Sequence, residues 1–370
     1  MRVAIVNDLA VVTEVLRRIV TSDPDHVVVW TALEGTEAIR RCDEDPPDVI
    51  LMDLLMPIMN GAEATREIMK RTPCPILVVT TTVTGNYPLV CQALGFGAYD
   101  AVNAPTLGQQ SPREAGAEFL AKLNRVEKIG RQLGSSGSLV SLRTAAGAKP
   151  DQKSTSGIST DELRPKPEQP GFRSVIKPAS ERLCPLVVIG ASTGGPPALE
   201  AILTGLPPDF PGAVVVIQHI DRDFTPALVS WLAERCKLRV VAASNGDRPT
   251  AGTVLVAATN DHLVFTAERT LAYSHEPRDC PFRPSVDAMY ESLIQHWPQP
   301  GVAVLLTGIG RDGADGMLKL RQRGWFTIAQ DQASSIVYGM PKAAAQNGAA
   351  KFVLPLRHIS GHIISHLRHR

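Results

Sequence analysis

Three apolar runs in the second half of the chain contain no alternating polar position: Leu186-Val187-Val188-Ile189, Val214-Val215-Val216-Ile217 and Val302-Ala303-Val304-Leu305-Leu306. Runs this short and this rich in β-branched residues predict strands buried on both faces of a parallel sheet. The strands of such a sheet present their carboxyl ends along one edge, where ligands bind. Each run leads into a loop with a different reactive residue. Ser192 lies in Gly190-Ala191-Ser192-Thr193-Gly194-Gly195, His219 follows Gln218, and Asp312 lies in Thr307-Gly308-Ile309-Gly310-Arg311-Asp312-Gly313. A parallel sheet would gather a serine, a histidine and an aspartate at one edge, the set a hydrolytic triad needs.

With 370 residues, the chain exceeds the size at which a single core stops growing, so two domains are expected. A net charge of +1 gives no electrostatic footprint for nucleic acid. No apolar stretch approaches the roughly 18 residues a membrane helix requires, so no membrane insertion is expected. The N-terminus meets Asp8 within one strand length and shows no signal-peptide pattern. Cysteines at 42, 74, 91, 184, 236 and 280 form no CxxC pair. That pattern points to free, buried thiols in a cytoplasmic protein rather than a zinc site or a disulfide framework.

The first hundred or so residues alternate strand and helix signals. Strands are predicted at Val3–Val6, Val27–Trp30, Asp48–Met52, Ile76–Val79 and Tyr99–Val102. Helices are predicted at Thr13–Val20, Thr36–Arg41, Ala62–Lys70 and Leu89–Leu94, with an amphipathic fifth over Glu114–Arg131. This is a doubly wound α/β domain over 1–131. Gly134-Ser135-Ser136-Gly137-Ser138 and recurring Lys-Pro and Arg-Pro pairs then mark a flexible tether over 132–183. A second, mainly parallel, doubly wound α/β domain is expected over 184–370.

In the first domain Asp8 and Asp53 follow strands whose carboxyl ends share an edge, where a hard cation could bridge them, and Thr80 places a hydroxyl beside them. Together with Met52-Asp53-Leu54-Leu55-Met56-Pro57-Ile58-Met59-Asn60-Gly61, this resembles the receiver domain of two-component response regulators. The resemblance implies a flavodoxin-like fold and phosphorylation of Asp53 by a sensor histidine kinase. It also implies Mg²⁺ held by Asp8, Asp53 and Leu55. Two positions depart from the receiver pattern: Asn7-Asp8 replaces an acidic pair, and Ala104-Pro105 replaces Lys-Pro. One carboxylate fewer weakens cation binding, and the missing lysine removes a contact to phosphoryl oxygens.

In the second domain Gly190-Ala191-Ser192-Thr193-Gly194 fits G-x-S-x-G, with Pro196-Pro197 starting a helix whose first amides favour developing negative charge. The order Ser192, His219, Asp312 differs from the common α/β-hydrolase plan, in which the acid precedes the histidine. Together with Arg283-Pro284-Ser285-Val286-Asp287, Gln330-Asp331 and Ser334-Ser335-Ile336-Val337-Tyr338-Gly339-Met340-Pro341-Lys342, these motifs resemble the chemotaxis protein-glutamate methylesterase family, CheB. The resemblance implies Ser192 as nucleophile, His219 as general base, Asp312 as its orienting acid and the Ile309 backbone amide as oxyanion donor. It further implies hydrolysis of γ-glutamyl methyl esters on the cytoplasmic domains of chemoreceptors, without a cofactor. Deamidation of receptor glutamines and a receiver that restricts the active site until phosphorylated are implied as well.

Other readings fit less of the chain. A phosphate-cradling nucleotide site at Gly190–Gly195 lacks a Walker lysine, and no acid ends the Val214–Ile217 strand to hold a ribose. A receiver-gated, non-catalytic adaptor would not need all three triad members. Ser285 reads as a helix N-cap rather than a second nucleophile. His358, His362 and His366 share one helix face, as metal ligands can, but read as a solvated face.

Overall fold

The structure is a computed structural model that describes residues 1–80, 83–105, 116, 117, 119–124, 126 and 183–368. Strands β1 (Arg2–Val6), β2 (Val27–Ala32), β3 (Val49–Asp53), β4 (Ile76–Thr80) and β5 (Asp100–Asn103) form one parallel sheet in the order β2-β1-β3-β4-β5. Helices α1 (Ala10–Thr21), α2 (Gly35–Glu44), α3 (Gly61–Arg71) and α4 (Val83–Gly95) alternate with them. Of the helix expected over Glu114–Arg131, residues 117, 119–124 and 126 are helical, and Phe119, Leu120, Leu123 and Val126 are buried as its apolar face. The tether expected over 132–183 lies, apart from Leu183, outside the described residues.

Helix α4 starts six residues before the expected Leu89, with Pro88 inside it. A proline there removes an intrahelical donor and opposes the helix. Packing overrides that preference: Tyr87 is buried with its ring edge-on to Trp231, at a centroid distance of 6.5 Å, and Val90, Cys91 and Leu94 are buried too.

The second sheet has seven parallel strands in the order β14-β13-β12-β6-β7-β9-β8. They are β6 (Leu186–Ala191), β7 (Ala213–Gln218), β8 (Arg239–Ala242), β9 (Thr253–Val256), β12 (Val302–Leu305), β13 (Phe326–Gln330) and β14 (Phe352–Leu354). An antiparallel hairpin, β10 (His262–Phe265) and β11 (Leu271–Ser274), stands apart. From β6 the chain moves outward through β7, then returns to β6's other side with β12. The reversal creates a crevice at the carboxyl ends of β6, β7 and β12. Helices α5 (Gly195–Thr204), α6 (Thr225–Arg235), α7 (Val286–His296), α8 (Ala314–Gln322), α9 (Met340–Gln346) and α10 (Leu356–Arg368) cover the sheet.

Two expectations need correction. His362 and His366 of α10 do not form a solvated face: His366 stacks on Phe326 at 4.1 Å and His362 lies 6.0 Å from the Phe352 ring. These aromatic side chains on β13 and β14 need a cover, and the imidazoles supply it. All six cysteines are free thiols, but only Cys42, Cys74 and Cys91 are buried. No helix among the described residues is long and apolar enough to cross a membrane.

Candidate active site

Ser192 is the first residue after β6. Its amide donates to Thr307 O at 3.0 Å, which ties it to the loop after β12. Gly194 adopts φ 76°, a left-handed conformation that suits glycine, and α5 begins at the next residue. Its Pro196 and Pro197 occupy the first turn, where a missing N–H costs nothing. Gly195 admits the Gln218 side chain, which a Cβ would strike, and Gln218 Nε2 donates to Ser192 O at 3.0 Å. A Cβ on Gly308 would come within 2.6 Å of Ser192 Cβ. Ile309, the residue after this contact, is buried, while the Gly308 amide is engaged by Val337 O at 3.0 Å.

β6 and β7 are in register to their ends, with Ala191 opposite Gln218, so Ser192 and His219 emerge side by side. His219 Nε2 donates to Asp312 Oδ2 at 2.8 Å. Its other ring nitrogen, Nδ1, is buried and has no hydrogen-bond partner among the described residues. Ser192 and His219 line the same cleft, and no hydrogen bond between them is found among the described residues. The Phe282 ring lies flat on the imidazole, centroids 4.5 Å apart and planes within 4°. That contact fixes the ring plane without engaging either nitrogen.

Asp312 is held on the N-terminus of α7. Its Oδ2 accepts from the Val286 amide at 2.7 Å, and its Oδ1 from the Asp287 amide at 3.1 Å and from Ser285 Oγ at 2.8 Å. Ser285 is the expected N-cap, its Oγ accepting from Ala288 N at 3.2 Å. Burial alone would push the Asp312 carboxyl up, but His219 and the α7 amides outweigh it and hold it below its usual range. The neighbouring Asp287 is pushed up to about 6 by burial and by the charge on Asp312.

The first domain closes over this edge. A cleft of about 160 Å³ is lined by Ser192, His219, Asp221 and Arg283 on one side and by Tyr99, Asp100 and Lys122 on the other. Lys122 pairs with Asp221 at 2.9 Å. Asn103 Nδ2 donates to Asp223 Oδ2 at 2.9 Å, and Thr193 Oγ1 to Tyr99 O at 3.2 Å. A Cβ on Gly95 of α4 would lie 2.7 Å from Pro197 Cγ, so α4 and α5 pack in close contact.

In the first domain Asp53 Oδ2 accepts from Asn7 Nδ2 at 3.0 Å, and Oδ1 from the Leu54 amide at 2.7 Å. Asn7 Oδ1 accepts from the Leu9 amide, which sets the orientation of its side-chain amide. The Asp53 carboxyl is pushed up to about 6 by burial, with Asp8 adding to the rise and the Leu54 and Leu55 amides opposing it. Asp8 is therefore close enough to repel it, and a hard dication between two such carboxylates would relieve the repulsion. The residues present fit such a cation.

Sequence patterns did not point to Phe282, His262, or the Lys122–Asp221 pair. Phe282 directly precedes Arg283-Pro284-Ser285, and that adjacency was the one available signal.

Residues 187–363 match the CheB methylesterase family and residues 3–110 the response regulator receiver domain. A protein-glutamate methylesterase/protein-glutamine glutaminase of Bordetella avium is 46% identical over 97% of this chain and 95% of its own length. Another, of Mesorhizobium japonicum, is 43% identical over 98% of both. The CheB methylesterase catalytic domain of Thermotoga maritima is 35% identical, with TM-score 0.46, over 49% of this chain and 98% of its own.

Proposed function

This chain belongs to the CheB methylesterase family, and we propose that within it Ser192 is the nucleophile, His219 the general base and Asp312 the acid that orients the base. The protein is a phosphorylation-regulated hydrolase that demethylates glutamate γ-methyl esters of chemoreceptors and deamidates receptor glutamines. The receiver spans 1–131, the tether 132–183 and the catalytic domain 184–370.

Ser192 Oγ attacks the ester carbonyl while its proton passes to His219. The His219 Nε2 proton is already donated to Asp312, so the nitrogen that receives the serine proton is Nδ1. Asp312 stays ionised, because the α7 amides and Ser285 stabilise its charge, and it stabilises the imidazolium in turn. The backbone amide of Ile309 stabilises the oxyanion; α5 contributes only the positive end of its dipole, because Pro196 and Pro197 carry no N–H and the Gly195 amide is bonded to Ser192 O at 2.7 Å. His219 returns the proton to methoxide, methanol leaves, and an acyl-enzyme remains on Ser192. Water, deprotonated by His219, releases the glutamate. A glutamine substrate follows the same course with ammonia as leaving group. These steps need only protein groups and water.

Asp53 accepts a phosphoryl group from a sensor histidine kinase. Asp8, Asp53 and the backbone carbonyl of Leu55, the only oxygen a leucine offers, would hold Mg²⁺, which supplies positive charge to the phosphoryl oxygens. Before phosphorylation the receiver occupies the catalytic edge through Tyr99, Asn103, Lys122 and α4. Its protein partners are the kinase and receptor cytoplasmic domains, which places it in the cytoplasm.

The observation that carries this reading is the His219–Asp312 hydrogen bond, with the second imidazole nitrogen buried in the cleft of Ser192 and without a hydrogen-bond partner among the described residues. Methanol release from methyl-labelled receptor membranes tests it. The chain should release methanol and the Ser192→Ala variant should not; equal release would end the assignment.

A further inference from the structure

A second histidine lies behind the acid of the triad. His262 opens β10 and is 0% exposed. Its Nε2 lies 3.0 Å from Pro277 O, an atom that only accepts, so Nε2 carries the proton. Its Nδ1 accepts from the Ser285 amide at 3.0 Å, so that nitrogen is bare. Both partners select the same neutral tautomer. Burial pushes the His262 imidazolium down from its usual range, and Arg283 lowers it further against Asp312, Asp261 and the Pro277 carbonyl.

We propose that His262 is a positioning residue for the reaction, acting through Ser285 to hold the Asp312 carboxylate in line with His219. Ser285 is the hinge of this relay. Its amide is anchored by His262, and its hydroxyl both caps α7 and donates to Asp312 Oδ1. The next two amides, of Val286 and Asp287, also hold Asp312. Ser285 is buried, so without an acceptor its N–H would be left unsatisfied, at a cost that favours rotation of the cap. Rotation would move three of the four described donors to Asp312 at once. A displacement near 1 Å at a catalytic group is enough to lower turnover about 10²-fold.

The proposal rests on the triad assignment, and the test separates the two. In the full-length protein His262→Asn, His262→Leu and His262→Gln all lose the ring. Only Asn places an acceptor near the position of Nδ1. Gln instead reaches toward Pro277. Methanol release from methylated receptor membranes gives kcat and KM for each. A serine-directed phosphonylating reagent, located by mass spectrometry, counts the chains with a competent Ser192.

His262→Asn should stay within several-fold of the parent, whereas Leu and Gln should lose about 10²-fold in kcat with KM little changed and Ser192 labelling stoichiometry intact. Equal losses in Asn and Leu, a loss confined to KM, or a loss matched by fewer labelled chains would overturn the positioning role. Parent activity that survives full labelling of Ser192 would instead overturn the triad assignment.

Discussion

Lys122 of the receiver pairs with Asp221 of the catalytic domain at 2.9 Å, with the two side chains 10% and 8% exposed, and Asp221 lies two residues beyond His219. Burial pushes the Asp221 carboxyl up, but the Lys122 ammonium, the Asp223 amide and the Asn260 side chain together outweigh it and hold it below its usual range. The pair therefore specifies the covered state at the point where cover matters. Removing one member of such a buried pair leaves the other charge uncompensated, a cost of up to about 3–5 kcal/mol that opening into water relieves.

Lys122→Met should accordingly raise methanol release by the unphosphorylated full chain about tenfold or more, toward the rate of a fragment comprising residues 183–370. Activity no higher than the parent's, with a fragment no faster than the intact chain, would rule out cover by the receiver.

For the triad, Ser192→Ala, His219→Ala and Asp312→Asn should each lower turnover by roughly 10³–10⁶-fold. Combining Ser192→Ala with His219→Ala should add little, because the two move one proton together. Additive losses would show that the residues act independently. Phe282→Leu removes the stacked ring but no hydrogen bond, and about a tenfold fall in kcat is expected from a less well-oriented imidazole.

Asp287 makes a prediction about stability. Its carboxyl stands at about 6 against an ordinary 3.8. Between about pH 4 and 6 the unfolded chain releases this proton first, so stability from this group falls as pH rises through that window and is level above it. Asp312 acts in the opposite sense: held low, it contributes at neutral pH and loses that contribution as pH falls through its depressed value. Asp287→Asn keeps an acceptor for the Gly316 amide, which bonds Oδ1 at 2.7 Å. The variant should gain about 1–3 kcal/mol at pH 7 and lose the fall between pH 4 and 6, read by urea denaturation of the full chain. An unchanged pH slope would contradict it.

The first sheet, the three central strands of the second and the edge that gathers Ser192, His219 and Asp312 were legible in the sequence, because short unbroken β-branched runs such as Val214–Ile217 fit a strand covered on both faces, whereas the outer strands of the second sheet and the β10–β11 hairpin were not. The Ser285 cap was legible too, as a local pattern. What was not legible is nonlocal. His262 and Phe282 are single residues on a hairpin strand and a loop, with no periodicity to mark them. The Lys122–Asp221 pair joins segments far apart in sequence. The early start of α4 depends on Trp231 in another domain, which no local propensity at Pro88 can encode. The tautomer of His219 also emerged only when Asp312 was seen at Nε2.

The receiver pocket gives the last prediction. Asp53 attacks phosphorus only as a carboxylate, and its carboxyl stands at about 6, first through burial and then through the charge of Asp8. The Asp53 carboxyl carbon, followed by NMR in the full chain without Mg²⁺, should therefore titrate between about pH 5 and 7, with its midpoint near 6. Asp53→Asn should abolish both phosphorylation and the accompanying rise in methanol release. Asn7 donates to Asp53 Oδ2 and adds no charge. Asn7→Asp exchanges that donor for a third carboxylate, so without Mg²⁺ the midpoint should move up. With Mg²⁺ it should fall below the parent's, and half-maximal phosphorylation should need less metal, because three carboxylates repel one another until a dication joins them. A midpoint that ignores both the substitution and the metal would show that Asp8, Asp53 and position 7 do not share a cation.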